Sequence, residues 1–121
     1  MISRSHRFHG YNSLRYVYQH GQTVRGPLTA LKYVSNKRRS QYRLAVVVSK
    51  KVHKSAVTRN RIRRRLYEAF RAHESEITQP WDIVMTVFHE QVATLSSPEL
   101  TRLVSAQLKQ AGIIPKAANR H

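Results

Sequence analysis

The chain has 121 residues and no cysteine, and its 22 Lys or Arg residues against 6 Asp or Glu residues give a formal charge of +16. Residues 1–67 contain 17 of the basic residues and no carboxylate, whereas residues 68–121 contain 5 basic and 6 acidic residues. The lack of cysteine excludes a disulfide scaffold. The scarcity of carboxylates argues against two-carboxylate hydrolysis and carboxylate-held metal centres, and the excess of positive charge favours a partner made of phosphates.

The length predicts one domain over residues 1–121, with flexible ends at 1–7 and 113–121. Apolar residues make up 40% of the chain, and runs such as 44–48 and 82–88 are too apolar for a disordered protein. The sequence contains no stretch long enough for a membrane span and no hydrophobic region of a signal peptide. We therefore expect a cytoplasmic protein with no membrane partner.

The first half of the chain predicts a helix followed by two strands. A short helix is expected over 12–20, because apolar residues share one helical face and Gly21 stands at the position of a C-terminal stop. A Gly-Pro pair then breaks the chain, and strands are expected over 28–34 and 42–49 with a basic turn between them. The second of these strands is continuously apolar, which indicates burial on both faces.

The second half predicts a helix, a strand and a helix. Helical periodicity begins at Ser55 and continues to about Glu76, and a third apolar strand is expected over 81–88. A capping signal at 96–99 starts the last helix, which Gly112 ends. The residues expected on the buried arc of the long helix are Ile62, Leu66, Ala69, Phe70 and His73.

These elements predict a single-domain α+β sandwich in the order α-β-β-α-β-α. Its central mixed sheet would contain three to four strands, depending on whether the first strand is whole or split.

The densest charge lies at the start of the long helix, where five of the seven residues from Arg59 to Arg65 are Arg. Arginines four apart repel each other, and the helix N-terminus already carries partial positive charge. Phosphates would offset both costs, because they accept hydrogen bonds from guanidinium groups and from free backbone N–H groups. The alternative is a solvated basic face that only keeps the protein soluble, but the acid-free half and the preference for Arg over Lys favour phosphate binding.

Three segments in this region resemble the signature of the bacterial ribonuclease P protein subunit. They are Ser49-Lys50-Lys51, the Arg59-Asn60-Arg61 motif with its continuation to Arg64, and Glu68-Ala69-Phe70-Arg71. Further similarity lies at Arg7-Phe8, Val17–Gly21 and Asp82-Ile83-Val84, so the resemblance covers nearly the whole chain.

The resemblance implies that the protein binds a large catalytic RNA, which removes the 5′ leader of precursor tRNA with the help of Mg²⁺. The protein would supply no catalytic residue, no metal site and no organic cofactor, and it would need no obligate protein partner. The resemblance also implies a left-handed βαβ crossover around the basic helix. The residues expected to contact the catalytic RNA are Lys50, Lys51, Lys54, Arg59, Asn60, Arg61, Arg63, Arg64 and Arg65.

The resemblance further implies a cleft between this basic helix and the sheet that holds the single-stranded leader of precursor tRNA. Two aromatic residues four apart on the first helix line that cleft in the family. Tyr18 matches the second of them, whereas Leu14 departs from the pattern; Tyr16, Tyr11 and Phe8 are candidates to compensate. The alternative is that Phe8, Val17 and Tyr18 only pin the short helix to the sheet. The residues expected at the cleft are Leu14, Arg15, Tyr18 and Lys32.

Several isolated residues favour structural roles. His6 and His9 lack a third ligand nearby and do not predict a metal site. His73 is expected to be a half-buried packing residue and Trp81 a core anchor. Asp82 precedes a buried strand and suits a nearby Arg or a turn, although the sequence identifies no partner.

Two other functions fit the composition. A structural RNA-binding protein, such as a ribosomal one, would share the basic surface without needing a leader cleft. A protein nuclease acting by itself would need more acidic residues than this chain provides.

Overall fold

The computed structural model describes residues 11–115, with side chains from residue 14 onward. It contains three α-helices and four strands among these residues, with two short 3-10 turns at Glu74–Glu76 and Glu90–Ala93. In chain order the elements are α1 (Tyr11–His20), β1 (Gln22–Arg25), β2 (Thr29–Ser35), β3 (Arg43–Val48), α2 (Ala56–Arg71), β4 (Trp81–Val87) and α3 (Ser97–Ala111).

The strands form one mixed sheet in the order β1-β2-β4-β3. β2 pairs antiparallel with both β1 and β4, whereas β3 and β4 are parallel neighbours joined through α2. The prediction of an α+β fold with a mixed sheet is thereby confirmed. The left-handed sense of the crossover through α2 stays a prediction from the resemblance.

The additional strand is β1, which the sequence did not separate from the surrounding loop. Its four residues bury only Val24, so no alternating pattern is visible in the sequence. The strand exists because its backbone pairs with β2 across the turn at residues 26–28, with Gln22 opposite Tyr33 and Arg25 opposite Ala30.

The two faces of the sheet carry different helices. The main core lies on the face formed by residues such as Leu31, Leu44 and Ile83, where α2 and α3 pack. On the opposite face, Val17 of α1 packs against Ala45 and Val84, with Leu14 at the edge of this smaller cluster. Side chains alternate along each strand, so both faces of β3 and β4 are covered in part, as the apolar run of β3 predicted.

Gly21 lets the end of α1 lie close to the sheet. A Cβ atom at this position would meet the backbone oxygen of Val17 at 2.6 Å and that of Tyr33 at 3.0 Å. Glycine is therefore needed at position 21 because the backbone of α1 and that of β2 approach each other closely there. Gly112, by contrast, ends α3 with a left-handed φ of 79°.

The start of α3 carries the predicted capping box. Ser96 Oγ accepts from the Glu99 N–H at 3.2 Å, and the Ser96 N–H donates to the Glu99 carboxylate at 2.9 Å. The hydrogen bond from the Ser96 N–H, then the Ser96 side chain and the charge of Arg102, hold the pKa of Glu99 below its usual range.

α2 is shorter than predicted and has a wider buried face. It ends at Arg71, although the sequence has no glycine or proline there, and Tyr67 is buried beside the predicted Ile62, Leu66, Ala69 and Phe70. His73 lies beyond the helix end and is half-buried.

Beyond the end of α2, the Tyr42 hydroxyl donates to Glu74 at 3.1 Å. Burial, and then the charge of Glu74, raise the pKa of Tyr42, so this phenol stays protonated.

The C-terminal boundary of the packed domain lies later than predicted. Ile113 and Ile114 are buried in the main core and their N–H groups contact the carbonyl oxygen of Leu108. The expected flexible end at 113–121 is therefore wrong for these two residues, because their side chains fill space beneath α3. The expected end at 1–7 and residues 116–121 lie outside the described residues.

Replacing Leu66 with alanine is expected to lower the free energy of unfolding by about 2–5 kcal/mol, because Leu66 is fully buried between α2 and the sheet and its removal leaves a cavity. Urea titration followed by circular dichroism measures the change. Arg64→Ala, on the exposed face of the same helix, is the control and should change stability by less than about 0.5 kcal/mol. Equal stability of the two variants would contradict the assigned orientation of α2.

Candidate nucleic-acid interface

Arg61 and Arg64 lie on the exposed face of α2, opposite the face that Ile62 and Leu66 bury. Arg61 and Arg64 are three residues apart on the helix, so their side chains project from the same surface. Neither guanidinium pairs with a carboxylate among residues 14–115, and the first turn of α2 contains no acidic residue. This surface therefore offers two guanidinium groups to an external anion.

Arg59 stabilises the connection that leads into α2. Its guanidinium donates to the carbonyl oxygens of His53 and Lys54, at 3.0 and 2.8 Å. Ser55 caps the helix by accepting from the N–H of Thr58, and the Ser55 N–H donates to Nδ1 of His53. Part of the donor capacity of Arg59 is thus used to order the loop between β3 and α2.

Arg63 and Arg65 also bond within the protein. The Arg63 guanidinium donates to the side-chain oxygen of Asn60, which holds both side chains on one side of α2. The Arg65 guanidinium donates to the carbonyl oxygens of Val92 and Leu95 and so ties α2 to the segment before α3. The binding of RNA by Arg63 and Arg65 stays a prediction. Arg65 also stabilises the fold, which its position in the sequence did not indicate.

The three predicted lysines lie in the loop between β3 and α2. Lys50, Lys51 and Lys54 are all exposed. They follow the end of β3 and precede the helix start, so their ammonium groups extend the cationic surface of α2 along the chain.

The predicted leader-binding residues gather at α1 and β2. Lys32 is half-buried and its Nζ donates to the carbonyl oxygen of Tyr18 at 3.2 Å, which joins the two elements. Tyr18 is 43% exposed, and Arg15 is exposed on the same helix. Leu14 packs against the small cluster beneath α1 instead of standing free. Side chains alternate along β2, so Tyr33 faces the main core while its neighbour Lys32 faces α1.

The position of the expected cleft needs a correction. α2 packs with α3 on one face of the sheet, whereas Tyr18 and Lys32 lie with α1 on the other face. A surface that contains the predicted leader residues is therefore bounded by α1 and the sheet, and not by the basic helix. Sequence patterns identified both helices as amphipathic but could not say which face of the sheet each would cover.

Phe8, His6 and His9 lie outside the described residues, as does the side chain of Tyr11.

Asp82 has the Arg partner that the sequence left open. Arg43 donates to both of its carboxylate oxygens at 2.9 Å, and Asn36 donates to one of them at 2.9 Å. Asp82 is 4% exposed, so the pair is largely shielded from water. Both residues lie near the beginning of parallel neighbouring strands and are directly paired in register. Strand order and register are set by the fold, so the sequence alone could not identify this contact.

His73 is half-buried as predicted, although it lies beyond the end of α2 and not on its buried arc, and Trp81 is partly buried against the main core. Nδ1 of His73 lies 3.2 Å from the Glu76 carboxylate. The Trp81 ring packs edge-on against Tyr33, with ring centroids 5.7 Å apart, and it contacts the main core.

The described residues contain no group of three His, Cys, Asp or Glu side chains placed to hold a metal ion. In the same part of the chain, none of the helices has the length and apolar composition needed to cross a membrane.

Known proteins are similar to this chain over most of its length. The profile of the Ribonuclease P family matches residues 2–112. The ribonuclease P protein component of Roseiflexus sp. is 34% identical over 113 residues, which cover 93% of this chain and 91% of that protein. The corresponding protein of Chloroflexus aurantiacus is 34% identical over 118 residues, which cover 98% and 86%.

A solved structure has the same fold. The RNase P protein of Staphylococcus aureus superposes with a TM-score of 0.80 at 26% identity, over 90% of this chain and 97% of that one. With the profile match over nearly the whole length, these similarities show that the chain belongs to the ribonuclease P protein family, the protein components of a tRNA-processing ribonucleoprotein.

Proposed function

We propose that this protein binds the catalytic RNA of ribonuclease P and the 5′ leader of precursor tRNA, and thereby assists Mg²⁺-dependent removal of the leader. The observation that carries the proposal is the cationic surface of α2, where Arg61 and Arg64 project without a described carboxylate partner. Membership of the ribonuclease P protein family indicates which RNA is bound, and the positive charge of Arg61 and Arg64 explains why RNA is bound.

In this proposal the surface of α2 and the preceding loop contacts the phosphate backbone of the catalytic RNA. Arg61 and Arg64 offer planar, bidentate donors, and Lys50, Lys51 and Lys54 add point charges. Arg59 and Arg65 support this surface by fixing the loop and the helix from within the protein. Since the backbone that carries the donors is ordered before the RNA arrives, less conformational entropy is lost on binding.

The leader would lie on the other face of the sheet, along α1. The exposed Tyr18 ring is suited to stacking on an unpaired base, and the Lys32 ammonium is hydrogen-bonded to the Tyr18 carbonyl oxygen. Leu14 contributes packing under α1, so the stacking surface at these two positions comes from Tyr18 alone.

Mg²⁺ would supply charge neutralisation and water activation when bound to the catalytic RNA. The described residues of this chain do not form a site for it, since no three suitable ligands converge. In this proposal the protein contributes binding and orientation of the RNA chains, and the catalytic RNA performs the chemistry.

The proposal is tested by incubating the protein with precursor tRNA at low Mg²⁺, with and without the catalytic RNA. We expect no cleavage by the protein alone and a higher kcat/KM when it is added to the RNA. Cleavage by the protein alone would show an independent nuclease. An unchanged kcat/KM would leave a structural RNA-binding protein as the better description.

Tyr18→Ala tests the leader contact separately. It should reduce the preference for precursor over mature tRNA by about 5- to 150-fold, because stacking on one base contributes about 1–3 kcal/mol. Affinity for the catalytic RNA should not change. Gln19→Ala, at an exposed neighbouring position of α1, is the matched control and should behave as the native protein.

A further inference from the structure

A cavity of about 520 Å³ lies between α1 and the turn that joins β2 to β3. Tyr16 of α1 lines one side, and Asn36, Lys37 and Arg38 of the turn line another. Ser35 at the end of β2, and Arg43 and Asp82 near the beginning of β3 and β4, complete the lining. The volume falls within the range of about 300–1,000 Å³ that is usual for sites of small ligands.

The charge of this cavity is positive, because its one carboxylate is already neutralised. Both oxygens of Asp82 accept from Arg43, and one also accepts from Asn36. Lys37 and Arg38 are exposed and have no ion pair to a carboxylate among residues 14–115. Two cationic groups thus remain available to an anion at the rim.

The turn that carries these cations is held in place by hydrogen bonds. The Asn36 side chain accepts from the Arg38 N–H at 3.2 Å while its amide donates to Asp82. The Asn36 N–H donates to the carbonyl oxygen of Pro80 at 2.8 Å. The rim is therefore ordered without a ligand, although the lysine and arginine side chains extend into solvent.

Tyr16 supplies an aromatic surface that packing of the fold does not require. Leu14 and Val17 attach α1 to the sheet, whereas Tyr16 is 52% exposed. Its ring contacts that of His20 one turn later, with centroids 4.4 Å apart. This contact restricts the Tyr16 side chain while leaving half of its surface accessible.

We propose that this cavity is a second subsite for single-stranded RNA and takes a nucleotide of the precursor tRNA leader, with the base on Tyr16 and the phosphate at Lys37 and Arg38. An exposed aromatic ring beside cations is the combination that binds unpaired nucleotides irrespective of sequence. A base within a duplex could not stack on the ring, which favours a single strand.

The position in the fold selects the leader over the catalytic RNA. Tyr16 and Tyr18 lie on the same helix, and Arg43 and Asp82 belong to the sheet face that α1 covers. The cationic surface of α2 is on the opposite face. Tyr16 and Tyr18 are two residues apart and project from opposite flanks of α1, so the subsite lies across this helix from Tyr18 and Lys32, on the same face of the sheet. This inference rests on the proposed function.

The test uses the enzyme reconstituted with catalytic RNA and precursor tRNAs whose leaders are lengthened one nucleotide at a time. In the native protein, affinity should rise at the length that reaches the cavity. Tyr16→Ala should remove that rise, with a loss of about 5- to 150-fold for longer leaders and none for shorter ones. Tyr16→Phe, which keeps the ring, should restore it.

The binding of phosphate at the rim is tested by the salt dependence of affinity. A variant with Lys37→Gln and Arg38→Gln should reduce the slope of log affinity against log salt by about 0.7 for each phosphate that the protein no longer neutralises, only with long leaders. Arg39→Gln removes a charge from the same turn outside the cavity and is the matched control. Circular dichroism and the urea midpoint establish that each variant is folded.

The outcomes separate this inference from the proposed function. If the native protein gives no gain over catalytic RNA alone, both fail. If the native protein assists cleavage and Tyr18→Ala impairs it, but Tyr16→Ala has no effect at any leader length, only the subsite is overturned. Weaker binding of the catalytic RNA by the Tyr16 or Lys37 and Arg38 variants would equally overturn it, since the cavity would then contact the other RNA.

Discussion

A variant carrying Arg61→Gln and Arg64→Gln is expected to bind the catalytic RNA of ribonuclease P about 100-fold more weakly than the native protein. Both side chains are exposed on α2 and face away from the core. A hydrogen bond to a charged group contributes about 1.5–3 kcal/mol, and at exposed positions the lower end of this range applies, so two lost arginine–phosphate interactions weaken binding by about 3 kcal/mol, on the order of 100-fold. Filter binding or fluorescence anisotropy at fixed salt measures the affinity.

The salt dependence of the same variant distinguishes direct binding of phosphates from a general reduction of charge. Each contacting residue removed should lower the slope of log affinity against log salt by about 0.7–0.9. Arg102→Gln with Lys109→Gln removes two charges from α3 and is the matched control, which should keep the native slope. Equal effects in the two variants would mean that only net charge matters.

Folding of the Arg61 and Arg64 variant should be nearly unchanged, because neither side chain is buried or hydrogen-bonded to another side chain among residues 14–115. The free energy of unfolding is expected to shift by less than about 0.5 kcal/mol, or to rise slightly as repulsion along α2 is relieved. A decrease of several kcal/mol would instead show that these arginines stabilise the fold.

Asp82→Ala is expected to lower the free energy of unfolding by about 3–5 kcal/mol. The substitution leaves the Arg43 guanidinium, whose side chain is 15% exposed, without its carboxylate partner, and a buried charge that loses its partner is strongly destabilising. It also removes the acceptor of the Asn36 amide. Urea titration of the purified variant measures the change.

A double-mutant cycle identifies the cause. Arg43→Met combined with Asp82→Ala removes both charges, so its decrease in stability should be smaller than the sum of the two single decreases. Glu90→Ala provides the control at an exposed contact between a carboxylate and an imidazole, since Glu90 lies 3.8 Å from His53 and is 63% exposed. That variant should lose less than about 1 kcal/mol. Additive decreases in the cycle would contradict a direct Arg43–Asp82 contribution.

Much of the fold was predictable because its patterns are local. The helical period of α2 placed Ile62 and Leu66 in the core, and the Ser96–Glu99 signal placed the start of α3. β1 was not separately predictable, since four residues with one buried side chain form a strand only through pairing with β2. The end of α2 at Arg71 was missed because no glycine or proline marks it.

The candidate RNA surfaces were predictable in composition but not in arrangement. The arginines of 59–65 form one charged run in the sequence, yet in the structure their side chains have different surroundings. Arg61 and Arg64 face solvent, whereas Arg65 bonds to carbonyl groups 27 and 30 residues later in the chain. No local periodicity reports a partner at that separation.

By itself, the sequence determined the charge asymmetry, the α+β class and the ribonuclease P signature, because each depends on residue type and short spacing. Only the tertiary structure decided that α1 and α2 cover opposite faces of the sheet, that Arg43 pairs with Asp82, and that Tyr16 lines the same cavity as Lys37 and Arg38. These relations depend on strand order and on packing between distant segments. The physical reason is that hydrophobic burial sets which faces meet, and the polar groups brought together there can form hydrogen bonds only after that packing is in place.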